Sequence, residues 1–223
     1  MGEVRVIEVH EDVFAQNNHA AADVRQMLAD NGTFFINVMS APGSGKTTLL
    51  TALISRLKDK VSIAEMDVDI ESSLDAQRVA DATGVRSLQI HNGGLCHIDA
   101  DMTKRALQDF DIEGVDLLIL ENIGNLVCPA EFDTGAVKNA MILSVPEGDD
   151  KPLKYPLMFS ICDVLLVNKI DVAPYFNFDL EKCIERVHKL NPNMKVFPIS
   201  ALKKEGIEPW AQWLRDQVAE WQK

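Results

Sequence analysis

The chain has 223 residues, 47% of them apolar and 25% charged, which suits a folded protein able to build a substantial core. Its formal net charge of -12 argues against general binding of nucleic acid or of anionic membranes, because phosphates would be repelled everywhere except at a local pocket. No apolar run approaches the ~18 residues of a membrane span, the first residues lack the apolar core of a secretory leader, and four widely spaced cysteines fit a reducing cytoplasm rather than a disulfide scaffold.

In chain order, residues 3–8 read as a weak strand, and 17–31 carry Val24, Met27 and Leu28 at helical spacing. The apolar run 34–39 predicts a buried strand, and 46–58 a helix. Further strands are expected at 61–66, 86–90, 116–121, 140–145, 164–168 and 196–199. Helices are expected at 75–83, 99–109, 156–162, 180–191 and 208–221, with 127–138 as the longest loop. Near-continuous apolar strands alternating with helices predict an α/β fold with a mostly parallel central sheet covered on both faces. Residues 1–223 read as one domain, with 1–30 an extension packed on it.

The densest chemical signal is Ala41-Pro42-Gly43-Ser44-Gly45-Lys46-Thr47-Thr48, directly after the 34–39 strand. Strand, glycine-rich turn, Lys-Thr and helix form the phosphate-binding arrangement of P-loop NTPases, in which backbone N–H groups face a polyphosphate with no side chain in the way. Gly43, Ser44 and Gly45 shape the turn, Lys46 reaches the β- and γ-phosphates, and Thr47 offers a hydroxyl to Mg²⁺, with Thr48 beside it. The full signature has glycine six residues before the lysine, where this chain has Ser40.

Asn168-Lys169-Ile170-Asp171 follows the apolar strand 164–167, where a doubly wound sheet receives the base. A carboxylate at Asp171 can accept from guanine N1–H and the exocyclic amine, a donor pair that adenine lacks. Ser200 and Ala201 stand where such proteins back the base with a short loop. For catalysis and the Mg²⁺ shell, carboxylates at strand ends are wanted: Glu121 ends one strand, and Asp69 is the first choice and Asp75 the second in the segment after another. Taken singly, each of these aspartates is almost as well read as part of a solvated acidic loop.

Cys96 and His97 are adjacent in a Gly93-Gly94 loop, and Cys128 follows the Glu121 segment. Thiolate and imidazole suit Ni²⁺ or Zn²⁺, three ligands leave one position open, and a two-fold dimer would double the supply. On these residues alone, a buried thiol and a surface histidine remain the plainer reading. Cys162 and Cys183 fall in helical patterns and read as packing residues.

Four segments carry a resemblance beyond generic phosphate-loop proteins: Gly93-Gly94-Leu95-Cys96-His97-Ile98-Asp99-Ala100, Glu121-Asn122-Ile123-Gly124-Asn125-Leu126-Val127-Cys128-Pro129-Ala130, Glu147-Gly148-Asp149-Asp150-Lys151-Pro152-Leu153-Lys154-Tyr155-Pro156, and Asn168-Lys169-Ile170-Asp171. Together with the phosphate loop, they make the chain resemble the HypB family, nickel metallochaperone GTPases of the SIMIBI class, from about residue 31 to 213. The resemblance implies slow Mg²⁺-dependent hydrolysis of GTP to GDP, a nucleotide-dependent homodimer, and a Ni²⁺ or Zn²⁺ site of Cys96, His97 and Cys128 at its interface. It also implies partnership with a HypA-type accessory protein and with the [NiFe] hydrogenase large-subunit precursor. Lys151 and Lys154 are expected near the nucleotide or the second subunit.

The chain departs from many relatives in lacking an N-terminal cysteine cluster or histidine-rich stretch, so nickel storage is not expected. Where relatives carry Glu-Gly-Asp, the corresponding residues read as Asp67-Val68-Asp69. Two competing readings are a urease-type accessory GTPase, which would want Cys-Pro-His in place of Leu95-Cys96-His97, and a nucleotide-gated metal-binding scaffold with little turnover.

Overall fold

Strands that are apolar at every position must be covered on both faces, and the chain meets that demand with one seven-stranded sheet. The computed structural model describes residues 9–69 and 74–223, with backbone alone for 9–13; the strand expected at 3–8 lies outside them. The strands are β1 (Phe34–Ser40), β2 (Ile63–Asp69), β3 (Arg86–His91), β4 (Leu117–Gly124), β5 (Lys138–Ser144), β6 (Val164–Asn168) and β7 (Lys195–Pro198). They run in the order β3-β2-β4-β1-β5-β6-β7, and every pairing is parallel. The helices are α1 (Val9–Asp30), α2 (Lys46–Leu57), α3 (Leu74–Thr83), α4 (Ala100–Asp109), α5 (Cys128–Glu131), α6 (Lys151–Lys154), α7 (Pro156–Ile161), α8 (Leu180–Leu190) and α9 (Ile207–Trp221).

The period-two alternation of strand side chains divides the core. Phe34, Ile36 and Val38 of β1, Leu117 and Ile119 of β4, and Ile142 of β5 point to the face covered by α2 and α9, where Trp210 is fully buried. Their neighbours point the other way. Phe35, Leu118 and Leu120 meet Val24 and Leu28 of α1 and Leu107 of α4, while Met141, Leu143 and Leu165 meet Phe159 of α7 and Val187 of α8. Cys162 and Cys183 are buried in this second layer, where burial pushes the Cys183 thiol up to about 12 and holds Cys162 protonated as well. They are packing residues.

Several boundaries differ from the sequence expectation. Helix α1 is already formed at Val9, the first described residue, eight residues ahead of the expected 17. The 127–138 stretch is not all loop: Cys128–Glu131 forms one helical turn started by Pro129. Helix α6 and a 3₁₀ segment at Ile170–Tyr175 are too short to leave a periodic signature. Strands β2 and β4 run on past 66 and 121, to Asp69 and Gly124, and these extensions carry the functional carboxyl edge.

Candidate functional site

The carboxyl ends of β1, β2, β4 and β6 converge on the loop between β1 and α2. Gly43 and Gly45 take left-handed backbone angles, with φ of 73° and 96°. At Gly45 space is a second constraint, since a Cβ there would lie 2.7 Å from Asn168 Nδ2. Ser40, in the place of the expected first glycine, needs no left-handed angle. Instead its buried hydroxyl ties the loop together: it accepts from Lys46 Nζ at 3.0 Å and Ser44 Oγ at 2.7 Å and donates to the Ala41 carbonyl at 2.8 Å. Lys46 opens α2, so a polyphosphate in the loop would meet the helix N-terminus and an ammonium together.

Beside Lys46, Thr47 Oγ1 donates to Glu121 Oε1 at 2.8 Å. Glu121, Glu65 and Asp67 form a trio with one carboxylate oxygen of each within 4.8 Å of the others. All three are buried, and Glu121 Oε2, Asp67 Oδ2 and both Glu65 oxygens have no hydrogen-bond partner. Burial, reinforced by the neighbouring carboxylates, pushes Glu65 and Glu121 up to about 8 and Asp67 to about 6. Orphaned buried carboxylate oxygens facing a threonine hydroxyl fit a hard divalent cation such as Mg²⁺, which takes oxygen ligands.

Glu65 escaped the sequence reading, and Asp67 entered it as part of the acidic loop and as the first residue of Asp67-Val68-Asp69. Their signal was two charges at alternate positions in the otherwise apolar stretch Ile63-Ala64-Glu65-Met66-Asp67. Glu-x-Asp therefore reads at 65–67, two residues before the Asp67-Val68-Asp69 placement. Asp69 closes β2 and lies outside the trio. Asp75 sits in the first turn of α3 and pairs with Arg78 at 3.0 Å.

The Asn168–Asp171 side of the loop is equally built. Asn168 Nδ2 donates to the Ser44 carbonyl at 2.9 Å, and its Oδ1 accepts from Ala201 N at 3.1 Å, tying both loops to β6. Lys169, at φ 62°, lays its stem toward the phosphate loop and donates to the Gly43 carbonyl at 2.7 Å. Asp171 Oδ1 accepts from Ser200 Oγ at 2.6 Å. Between them lies a cavity of about 210 Å³ lined by Gly45, Thr48, Asn168, Lys169, Asp171 and Leu202. Lys151 lies over the Tyr155 ring, and Lys154 pairs with Asp150 at 2.6 Å.

At the opposite end of the β4 extension, Cys96 Sγ lies 2.7 Å from Cys128 Sγ, although the residues are 32 apart in sequence. Both are free thiols, Cys96 exposed and Cys128 half-buried. The adjacent Cys128 sulfur holds the Cys96 thiol above its ordinary range, so a metal ion taken up there must displace protons. His97 does not complete a compact trio within the chain. Its ring stacks on Phe132, with centroids 3.8 Å apart and planes 11° from parallel, and Nδ1 is 3.9 Å from Cys96 Sγ.

The loop is braced from several sides. Asn92 donates to the carbonyls of Leu95 and His97, Asn125 Nδ2 to that of Cys96, and Asp99 caps α4 by accepting from Met102 N. From α1, Asn17 Oδ1 accepts from Ala100 N at 2.9 Å while its Nδ2 donates to the Asp133 carbonyl at 3.0 Å. Phe132 and Asn17 had no sequence signal, because their partners are remote in the chain.

A parallel sheet with a phosphate loop after its central strand, a cavity edged by the Asp171 carboxylate and a buried carboxylate trio defines a P-loop nucleotide-binding protein. Residues 34–198 match the model of the CobW/HypB/UreG nucleotide-binding domain. The sequence is 44% identical to the hydrogenase maturation factor HypB of Escherichia coli K12, over 97% of this chain and 74% of that one. Two crystal structures superpose closely. HypB from Helicobacter pylori in complex with nickel has a TM-score of 0.86 and 37% identity, over 92% of this chain and 96% of that one. HypB from Archaeoglobus fulgidus gives 0.85 and 35%, over 92% and 99%. The chain belongs to the HypB family of hydrogenase maturation factors.

Proposed function

We propose that this chain is a GTP-binding, slowly GTP-hydrolysing nickel carrier for [NiFe] hydrogenase maturation. The observation that carries the reading is one eight-residue segment. Glu121 takes the hydroxyl of Thr47 at its start, Gly124 lies against Pro42 of the phosphate loop, and Cys128 meets Cys96 at its end. Nucleotide and metal sites are thus served by the same stretch of backbone.

In this reading, GTP lies with its phosphates in the loop and its guanine against Asp171. Lys46 leaves Ser40 for the β- and γ-phosphates, and loop amides at the start of α2 hold the charge that develops as water attacks. Mg²⁺, when bound, neutralises charge on the β- and γ-phosphates; Thr47, Glu121 and Asp67 are the residues to hold it. No arginine reaches the loop in the contacts of the described residues, which suits slow turnover. Cys96 and Cys128, joined by His97, carry Ni²⁺ or Zn²⁺ as cargo, and a second copy completes the ligand set in a homodimer. A HypA-type protein and the hydrogenase large-subunit precursor are the partners, and the cytoplasm the compartment; among the described residues, no helix is long and apolar enough to cross a membrane.

Sedimentation with GDP and with a non-hydrolysable GTP analogue, each with and without Ni²⁺, combined with phosphate-release assays, tests the proposal. The expected results are a dimer favoured by the triphosphate state, Ni²⁺ bound through Cys96, and measurable Mg²⁺-dependent turnover. Nickel binding that survives Cys96→Ala, or a chain that never releases phosphate, overturns it.

A further inference from the structure

Asn37 is a buried amide in the middle of the most central strand, flanked on both sides by apolar residues. Unpaired, it would cost several kcal/mol. It is instead the middle of a three-strand ladder. Asn122 Nδ2 of β4 donates to Asn37 Oδ1 at 2.9 Å, and Asn37 Nδ2 donates to Asn139 Oδ1 of β5 at 3.0 Å. Asn122 is fully buried, and its own Oδ1 accepts from Ile123 N at 2.8 Å.

The ladder sits where the sheet register breaks. Strand pairing runs Val38 to Glu121, then Ser40 to Gly124, so β4 advances three residues while β1 advances two. Such a bulge leaves a residue unpaired and bends the strand. Asn122 and Ile123 both fall in this irregular stretch, and the Asn122 amide adds a side-chain bond to β1 there. On the nucleotide side of the bulge, Glu121 faces Thr47. Beyond it, a Cβ on Gly124 would lie 3.1 Å from Pro42 Cα, and Asn125 donates to the Cys96 carbonyl at 3.3 Å.

We infer that Asn37 and Asn122 are positioning residues which make the bulge a fixed pivot, so that a displacement of Gly124 at the phosphate loop is passed to Asn125 and Cys128 rather than lost in the strand end. The inference rests on the proposed pairing of nucleotide and nickel sites and adds the residues through which they are coupled. The side-chain bonds of both amides go to Asn139, to Ile123 N and to each other, not to a residue of the phosphate loop or of the thiol pair. A pivot that is removed leaves both sites in place and cuts the connection between them.

The experiment is a Ni²⁺ titration of the full chain against a competing chelator, with Mg²⁺ and either GDP or a non-hydrolysable GTP analogue. In the unmutated protein, the Ni²⁺ dissociation constants in the two states are expected to differ by about fivefold or more, a usual size for coupled sites. Asn37→Ala and Asn122→Ala bring that ratio to within about twofold of unity while GDP affinity changes less than about threefold. Asn139→Ala removes a bond from the same ladder without touching β4, and keeps the ratio. Should the alanine variants not fold, Asn122→Asp keeps the shape and the acceptor for Ile123 N but loses the donor to Asn37, and the same fall in the ratio is expected. Retention of the full ratio in folded Asn37 or Asn122 variants, or equal loss in Asn139→Ala, overturns the pivot alone. A ratio of one in the unmutated protein overturns the coupled-site reading and the pivot with it.

Discussion

The Thr47 hydroxyl donates to Glu121 Oε1 at 2.8 Å, the bond that links the phosphate loop to the strand leading to Cys128. Glu121 is 2% exposed, so losing that donor leaves a second orphaned oxygen in a buried carboxyl group. Such a loss costs about 1–3 kcal/mol. Thr47→Ala is expected to lower the stability of the nucleotide-free protein by that amount. It should also reduce GTP turnover by about tenfold or more and raise the Mg²⁺ concentration needed for half-maximal rate, as the hydroxyl is a metal ligand in the proposed complex. Phosphate release measured across a Mg²⁺ series checks this; an unchanged Mg²⁺ requirement counts against the ligand role.

In the proposed GTP complex, Asp171 offers the guanine edge a carboxylate, and Ser200 Oγ steadies it at 2.6 Å. In Asp171→Asn the Ser200 bond can persist, but one acceptor becomes an amide donor facing the donor pair of guanine. A polar group left unpaired in this way rejects its ligand strongly, so GTP affinity should fall by about a hundredfold or more. Xanthine presents a carbonyl where guanine carries its amine, and XTP should gain by a comparable factor. Titration calorimetry with both nucleotides decides it, and equal GTP affinity in the variant removes Asp171 from the base site.

What could be read from the sequence was local. The apolar runs at 34–39 and 164–167 are unbroken enough to force burial on both faces, and the glycines and Lys-Thr of 41–47 lie within one turn. The carboxylate trio was not local. Glu65 reaches Glu121 only because β2 pairs with β4 in a register that sets Asp67 opposite Glu121, and strand register is fixed by tertiary packing. Cys96 and Cys128 could be named as a pair of soft ligands, but their approach depends on the β4 extension beyond Glu121. Helix α6 and the 3₁₀ segment at Ile170–Tyr175 complete no more than two turns each, too few for a period to show them.

Glu65 gives a pH dependence with a definite sign. Its pKa is about 8 in the folded chain against an ordinary 4.5, raised first by burial. The folded state therefore favours the protonated acid. Stability linked to this group is complete below about pH 4.5 and is lost as pH rises through 8. Asp67, at about 6, adds loss in the lower part of the same window. In chelator and without nucleotide, the melting temperature should fall between pH 5 and pH 9. Glu65→Gln keeps the shape and cannot ionise, so it should raise the melting temperature at pH 9 by about 5 °C or more and leave pH 5 nearly unchanged. An identical shift at both pH values excludes the ionisation as its cause.

Asn17 ties both arms of the thiol pair to one helix. Its Oδ1 takes Ala100 N, three residues beyond His97, and its Nδ2 reaches the Asp133 carbonyl, five residues beyond Cys128. It is 8% exposed, so neither bond is readily replaced by water. Cysteines 32 residues apart must be held in register by something outside their own loops, and α1 supplies it through this amide and the Arg25–Asp133 ion pair at 2.6 Å. Asn17→Ala should therefore weaken Ni²⁺ binding by about three- to tenfold, the equivalent of roughly 1 kcal/mol lost in preorganisation. GTP affinity should stay within about twofold, since α1 lies on the face of the sheet away from α2. Asn17→Asp keeps the acceptor for Ala100 N and should recover part of the loss. Parallel Ni²⁺ and GTP titrations of the two variants separate a brace on the thiol pair from a general loss of stability, because only the brace lowers nickel affinity while nucleotide affinity holds.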